Sequence, residues 1–127
     1  ALRYAVGDNT AIVSMAAADD EGGTGLGTGG DRVELRALDS FGFRNVSLLK
    51  IDVETFEDAV LRGSRQLLLE QRPTVVVEIQ ATANFDDARP ELRARIVHTI
   101  RSIEELGYYV FRVGTADYAA IPLEEAR

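Results

Sequence analysis

Two short apolar runs, one on each side of a helix-periodic segment, constrain the fold of this chain more than any other feature. Residues 46–53 read VSLLKIDV and residues 74–79 read TVVVEI. Strands with so few polar residues are typical of parallel sheets, whose faces are covered by helices. The segment between them repeats apolar residues on one helix face, namely Phe56, Ala59, Val60, Gly63 and Leu67. The order strand, helix, strand therefore predicts an α/β fold with parallel strands.

The first helix has recognisable signals at both of its ends. Thr55 followed by Asp58 resembles a capping box with Asp in place of Glu or Gln, so we expect the helix to begin there. Arg72 and Pro73 end it, because a proline cannot continue a helix. The segment is thus predicted to be one continuous helix.

The C-terminal third of the chain repeats the alternation of helix and strand. One apolar stripe predicts a second helix, and it consists of Leu92, Ile96, Ile100, Ile103 and Leu106. Gly107 follows it, as is typical of a helix end. Residues 108–113 predict another strand, and residues 118–121 predict a short last strand.

The N-terminal third predicts paired strands without a helix between them. Residues 1–6 resemble the tail of a strand, and the sequence GDN at 7–9 is typical of a turn. Residues 11–17 predict a second strand, and residues 33–38 predict a third strand with alternating polarity. We interpret residues 11–38 as a long-looped β-hairpin inserted into the α/β fold.

A glycine-rich tract lies in the loop of this hairpin. Residues 25–30, GLGTGG, satisfy the pattern G-x-G-x-x-G. That pattern binds phosphate where it joins a buried strand to the N terminus of a helix. Here the acidic residues 19–21 precede it and an alternating strand follows it. We therefore interpret the tract as a flexible loop and not as a nucleotide site.

Composition excludes several classes of function. The chain has 21 acidic and 14 basic residues and a net charge of −7, which argues against a nucleic-acid partner, because phosphate binding needs a basic face. The lack of cysteine excludes thiolate chemistry, and a single histidine excludes a histidine-rich metal site. No apolar run approaches the roughly 18 residues that cross a membrane, so we expect a cytoplasmic protein without a membrane partner.

Acidic residues follow the two apolar runs at the point where each predicted strand ends. Asp52 and Glu54 close the first strand, and Glu78 lies near the end of the second. The carboxyl ends of parallel strands form the edge at which α/β folds bind ligands. Alternatively, Asp52, Glu54 and Glu57 cap the following helix and complement its dipole, and the spacing does not decide between the two interpretations. Lys50 points to the same face as Asp52, as an ion-pair partner or as a proton-transfer group.

His98 is the one histidine of the chain, and it lies off the apolar stripe of its helix. Its neighbours in the sequence offer no acid or nucleophile as a partner. We therefore interpret it as a solvated surface residue and not as a catalytic base.

Several of these residues together resemble a known family. The chain reads KIDVE at 50–54, FE at 56–57, VLRG at 60–63, RP at 72–73 and VE at 77–78. This is similar to the FkbM-type methyltransferases, whose typical run is K-I-D-V-E-G, an E two residues later, V-L-x-G, and R-P-x-hydrophobic-E. The resemblance extends through AVGD at 5–8, LDS at 38–40, LGY at 106–108 and, more weakly, DY at 117–118, so it covers most of the chain.

The resemblance implies a Rossmann-like methyltransferase that depends on S-adenosylmethionine and acts on a hydroxyl oxygen of a small molecule or glycan. It implies that Asp52 lies beside the methionine end of the donor, where it orients or deprotonates the attacking hydroxyl. The resemblance also implies that Ala5 and Asp8 lie near the adenine of the cofactor. It implies that Glu54 and Glu78 line the acceptor pocket or order its walls, and it implies no metal ion.

Two departures from the family pattern shape the expected domain. Thr55 stands where the family more often has glycine. The glycine-rich first strand–loop–helix unit and the acid ending the second strand, which normally hold the donor, do not occur in this sequence. We therefore expect residues 1–127 to form a single partial methyltransferase domain, its C-terminal portion, with a mostly parallel sheet whose N-terminal strands are missing.

Two other functions fit the same residues. A magnesium-dependent phosphodiesterase would use Asp52, Glu54 and Glu78 as oxygen ligands for the ion. A non-catalytic interaction domain would bind a partner, or a second copy of itself, through an exposed sheet edge. A homo-oligomer is thus a further expectation, beside the small-molecule or glycan acceptor.

Overall fold

The computed structural model describes residues 3–17, 24–26, 31–79 and 89–126. The described strands are β1 Ala5–Gly7, β2 Ala11–Ala17, β3 Thr24–Leu26, β4 Asp31–Ala37, β5 Leu48–Asp52, β6 Thr74–Glu78, β7 Tyr108–Arg112 and β8 Asp117–Pro122. The described helices are α1 Glu57–Gly63, α2 Arg65–Gln71 and α3 Pro90–Glu104, with a short 3-10 helix at Leu38–Phe41. The predicted α/β class is confirmed.

Strands β5 to β8 form the C-terminal sheet in the order β5-β6-β8-β7. The parallel pairing of β5 with β6 confirms the predicted strand–helix–strand unit. Strand β8 is antiparallel to both of its neighbours, because the short connection at residues 113–116 turns the chain straight back from β7. The described strands form two mixed sheets. They do not form the mostly parallel Rossmann sheet that we expected.

Strands β1 to β4 form the N-terminal sheet in the order β1-β4-β2-β3. Strands β2 and β4 pair antiparallel, as expected for the two arms of a hairpin within residues 11–38. The interpretation of the glycine-rich tract as a loop is wrong at Gly25 and Leu26, because both lie in β3, which pairs with β2. Residues 27–30 of the tract lie outside the described residues.

The described helices pack on one face of the C-terminal sheet. Alternate strand residues point toward the helices, as the two-residue period of a strand requires. The buried cluster consists of Ile51, Val75, Val77, Tyr108, Tyr118 and Ala120 from the sheet, Ile79 directly after β6, and Val60, Leu61, Leu68, Ile96, Ile103 and Leu106 from the helical side. On β5 the intervening residues Leu48, Lys50 and Asp52 are exposed, so the acid and the lysine lie on the opposite face.

The segment predicted as one helix is two helices that meet at Ser64. The Ser64 side chain is fully buried, and its hydroxyl donates a hydrogen bond of 2.7 Å to the backbone oxygen of Val60. Such a bond between a serine and a preceding carbonyl competes with the regular helix ladder. The apolar spacing continues through the break, which is why the sequence pattern did not reveal it.

The predicted capping box is also wrong. Helix α1 begins at Glu57, and no side chain caps it. Helix α2 is capped from a distance, since the Asp39 carboxylate accepts the backbone N–H groups of Gln66 and Leu67 at 2.9 Å each. These two hydrogen bonds connect the 3-10 helix at Leu38–Phe41 to the start of α2.

Gly63 lets α1 lie directly against β1. A Cβ atom placed on Gly63 would come within 1.8 Å of the backbone oxygen of Gly7. No side chain fits in that space, because the obstacle is backbone that cannot rotate away. The glycine of the VLRG sequence is therefore required by the contact between α1 and the N-terminal sheet.

We predict that Gly63→Ala lowers the free energy of unfolding by ~3 kcal/mol, because the added methyl group pushes α1 away from Gly7. This expected loss of stability is opposite to the effect of helix propensity, which favours alanine over glycine. Urea denaturation measures the change. Glu104→Ala, at an exposed position of α3, is the control and should stay within ~0.5 kcal/mol of the parent. An unchanged midpoint for Gly63→Ala would contradict the close approach.

Arg72 joins the end of α2 to the C-terminal part of the chain. Its guanidinium donates hydrogen bonds of 2.6 Å to the Leu106 carbonyl and 2.7 Å to the Gly107 carbonyl. It also pairs with the Glu124 carboxylate at 2.7 Å and lies over the Tyr108 ring. The hydrogen bond from Arg72 lowers the pKa of Glu124 from 4.5 to about 2.

We predict that this pair makes folding sensitive to acid. The folded state binds the Glu124 proton more weakly than the unfolded state, so the stabilisation is present above pH 4.5 and is lost as the pH falls toward about 2. Glu124→Gln should remove this part of the pH dependence in urea denaturation followed across that range. Glu125→Gln removes the same charge without a hydrogen bond to Arg72, so a similar effect of both variants would contradict the assignment.

Candidate active site

Three carboxylates line up at the end of the C-terminal sheet where β5 and β6 finish. In the pairing of β5 with β6, Asp52 lies opposite Glu78, and in the pairing of β6 with β8, Glu78 lies opposite Asp117. Residues paired directly across neighbouring strands share a face of the sheet. The predicted meeting of Asp52 and Glu78 at one edge is thus observed.

Asp117 was not among the site residues predicted from the sequence. It is the first residue of β8, and only the antiparallel pairing of that strand brings it beside Glu78. A parallel last strand would have placed its first residue at the far end of the sheet. The short connection at residues 113–116 was the sequence signal for a hairpin, and with it the position of Asp117 could have been inferred.

Lys50 is the only lysine in the chain, and it lies among these acids. Its ammonium nitrogen is 2.9 Å from Oδ2 of Asp52. The hydrogen bond to Asp52 and the charge of Asp52 raise the pKa of Lys50, and the charges of Glu78 and Asp117 add to the effect. Lys50 is therefore protonated at neutral pH and donates a hydrogen bond, which favours the ion-pair interpretation over proton transfer.

The Asp52 carboxylate keeps one oxygen available. Lys50 contacts Oδ2, and no other side chain among the described residues bonds the Asp52 carboxylate. The side chain is 48% exposed, so a bound molecule can reach it. This arrangement can accept a hydrogen bond from a ligand while the adjacent ammonium holds the carboxylate in place.

A tight turn follows Asp52 and leads into α1. It is closed by a hydrogen bond of 2.9 Å from the Phe56 backbone N–H to the Val53 carbonyl. Glu54 is exposed within this turn. Thr55 adopts a φ of +74°, and its backbone N–H donates to the buried carboxylate of Glu57 at 2.9 Å. The position that the family more often fills with glycine thus has a backbone conformation that glycine adopts easily.

Ala5 and Asp8 lie in and directly after β1, the strand that α1 contacts. Ala5 belongs to β1, and Asp8 follows that strand and pairs with Arg62 of α1 at 2.9 Å. Among the described residues, no hydrogen bond or ion pair connects Asp8 to Asp52. Their placement near a cofactor adenine stays a prediction.

His98 has an acid partner that the sequence analysis did not find. Its Nε2 atom is 3.3 Å from Oδ2 of Asp58, a residue of α1 that is distant in sequence. Thr99 donates to the other oxygen of the same carboxylate at 3.1 Å. The histidine side chain is 65% exposed, so the predicted surface position is confirmed while the absence of an acid partner is not.

The described part of the chain contains neither a metal-binding cluster of side chains nor a helix that could span a membrane. No three His, Cys, Asp or Glu side chains within it converge closely enough to hold a metal ion. None of its helices combines the length and the apolar character needed to cross a bilayer.

We predict that Asp52→Asn lowers the pKa of Lys50 toward its ordinary value of 10.5, because the loss of the carboxylate removes the main group that favours the ammonium form. A side-chain NMR titration measures this without ambiguity, since the chain has one lysine. Glu78→Gln should shift the pKa in the same direction by less. Glu104→Gln, a matched change in α3 outside the site, should leave the pKa of Lys50 unchanged. An equal change of that pKa in Glu104→Gln and Asp52→Asn would contradict the contact between Lys50 and Asp52.

The family model of the methyltransferase FkbM domain matches residues 3–110 of the 127-residue chain. No curated protein and no solved structure matches the chain. The matched segment contains β5 and β6, which carry Lys50, Asp52 and Glu78, and it also contains the turn and the helices between these strands.

Proposed function

Because the chain belongs to the methyltransferase FkbM domain family, we propose that it takes part in methyl transfer from S-adenosylmethionine to a hydroxyl oxygen of a small-molecule or glycan acceptor. The observation that carries this proposal is the Asp52 carboxylate at the edge of β5 and β6. It is held by Lys50 on one oxygen and is accessible to a ligand. Ligands of α/β folds bind at this kind of edge.

The charges at this edge fit the proposed cofactor. S-adenosylmethionine, when bound, supplies a methyl group on a positively charged sulfur. Asp52, Glu78 and Asp117 provide three carboxylates against the single ammonium of Lys50, so the edge has an excess of negative charge. A cation is attracted to such a group of carboxylates, and an anionic donor would be repelled.

Asp52 is the proposed contact to the acceptor hydroxyl. A methyl transfer of this kind depends mainly on holding the attacking oxygen in line with the methyl group. A carboxylate within hydrogen-bond distance of that hydroxyl orients it and accepts its proton. Lys50 is protonated and cannot accept the proton, so its proposed role is to fix the rotamer of Asp52 through their 2.9 Å contact.

The remaining candidate residues have supporting roles in this proposal. Glu78 lies beside Asp52, and Glu54 lies in the turn that follows, so both are proposed to line the acceptor pocket. Ala5 and Asp8 are proposed to lie near the adenine. The Phe56 ring supports that proposal, because a Cβ atom on Gly7 would lie 3.1 Å from it, which puts the end of β1 next to the turn after Asp52.

Calorimetric titration of S-adenosylhomocysteine tests the proposal on the full-length natural protein that contains residues 1–127. We predict saturable binding of S-adenosylhomocysteine by the parent. In the same titration with S-adenosylmethionine, whose sulfur carries the charge that Asp52 attracts, we predict ~10-fold weaker binding by Asp52→Asn, which corresponds to ~1.4 kcal/mol. Glu70→Gln, at an exposed position of α2, is the matched control and should bind like the parent.

Two results would count against the proposal. A folded parent protein that does not bind the nucleoside would contradict the proposed cofactor, and thermal stabilisation by magnesium chloride alone would then favour the phosphodiesterase alternative. Equal binding of S-adenosylmethionine by the parent and by Asp52→Asn would contradict a role of Asp52 in the cofactor site.

A further inference from the structure

A further carboxylate, that of Glu57, lies close to the proposed site, and the proposed mechanism does not use it. Glu57 is the first residue of α1, and it is 1% exposed. A buried carboxylate is costly unless hydrogen-bond donors satisfy it. Its Oε1 atom accepts the backbone N–H of Thr55 at 2.9 Å, so the acid is turned back toward the turn that precedes its own helix.

The backbone that Glu57 holds is strained. Thr55 has a φ of +74°, a conformation that is rare for residues other than glycine and is an outlier for a β-branched residue. Strained conformations persist only where the surrounding structure determines them. Here the constraints are the hydrogen bond from Thr55 to Glu57 and the hydrogen bond from Phe56 to the Val53 carbonyl.

This turn decides how the chain leaves β5. It begins at Val53, directly after Asp52, and it contains Glu54. A change in the φ of Thr55 would redirect the chain between the last residue of β5 and the first residue of α1. The other end of α1 is in close contact with the N-terminal sheet, because the backbone of Gly63 packs against that of Gly7.

We propose that Glu57 is a positioning residue, whose buried carboxylate holds Thr55 in the left-handed conformation and thereby fixes Asp52 and Glu54 at the edge of the sheet. This inference rests on the proposed function, in that Asp52 and Glu54 are the residues being positioned. It applies to this chain in particular, because a glycine at position 55 would adopt the same conformation without strain.

A simpler role would also bury an acid here. Glu57 lies in the first turn of α1, where a negative charge interacts favourably with the helix dipole. That role concerns the helix alone, so it does not depend on the residue at position 55. The positioning role does depend on it, and a double-mutant cycle between positions 55 and 57 separates the two.

The test combines Glu57→Met, which keeps the size and removes the acceptor, with Thr55→Gly, which removes the strain. We expect Glu57→Met to lower the folding equilibrium constant ~10-fold in the parent and less than ~3-fold in the Thr55→Gly background, as measured by urea denaturation. Glu57→Gln keeps an acceptor oxygen and should lower the folding equilibrium constant less than Glu57→Met does. Glu91→Met, which removes an exposed acid from the first turn of α3, controls for the helix dipole.

A second readout follows the site itself. If Glu57 positions Asp52, Glu57→Met should lower the pKa of the single lysine, Lys50, in an NMR titration, and adding Thr55→Gly should restore it. A residue that only stabilises α1 would reduce stability without moving that titration. Equal losses of stability for Glu57→Met in both backgrounds, or an unmoved Lys50 titration, would overturn the positioning role.

These readouts are independent of the proposed cofactor. Coupling between positions 55 and 57 in a protein that does not bind S-adenosylhomocysteine would support the positioning of Asp52 and Glu54 and contradict the methyltransferase proposal. Binding of the nucleoside without such coupling would support the methyltransferase proposal and contradict the positioning role.

Discussion

The contact between Gly63 and Gly7 determines how the site is built. It presses the C-terminal end of α1 against β1, while the N-terminal end of the same helix follows the turn after Asp52. The helix is short, so fixing one end leaves little freedom at the other. The position of the acids relative to the N-terminal sheet is therefore set by a backbone contact that only glycine permits. The Asp39 cap on α2 and the pair between Asp8 and Arg62 reinforce the same junction between the two sheets.

The charge arrangement at the edge explains why one lysine is placed among several acids. Lys50 bonds Asp52 directly, and the charges of Glu78 and Asp117 act on it from the neighbouring strands. Three carboxylates so close together would repel one another without a counter-charge. A lysine supplies that charge from a flexible stem on the same face, and it leaves one oxygen of Asp52 accessible. The same features that stabilise the ion pair therefore prepare Asp52 to accept a hydrogen bond.

Local patterns predicted the parts of the fold that depend on nearby residues. The alternation of apolar runs with a helix-periodic segment predicted β5, β6 and the parallel pairing that brings Asp52 opposite Glu78. The break at Ser64 was missed, because apolar spacing continues across it. The contacts of Asp39 with α2, Asp58 with His98 and Arg72 with Glu124 were missed as well, since their partners are 27 to 52 residues apart in the sequence. Asp117 belongs to the same group, because its place depends on the direction of β8.

The turn after Asp52 shows why a departure from a family pattern is best judged together with its neighbours. Considered alone, Thr55 in place of glycine is unfavourable, because a β-branched residue resists a positive φ. The structure keeps that φ and supplies a buried acceptor for the Thr55 N–H from Glu57. A glycine would make the turn easier to form and also easier to leave, since glycine has more conformations available. Threonine with Glu57 thus forms a constrained pair in place of an intrinsically permissive residue, and the turn depends on a hydrogen bond between a side chain and the backbone two residues before it.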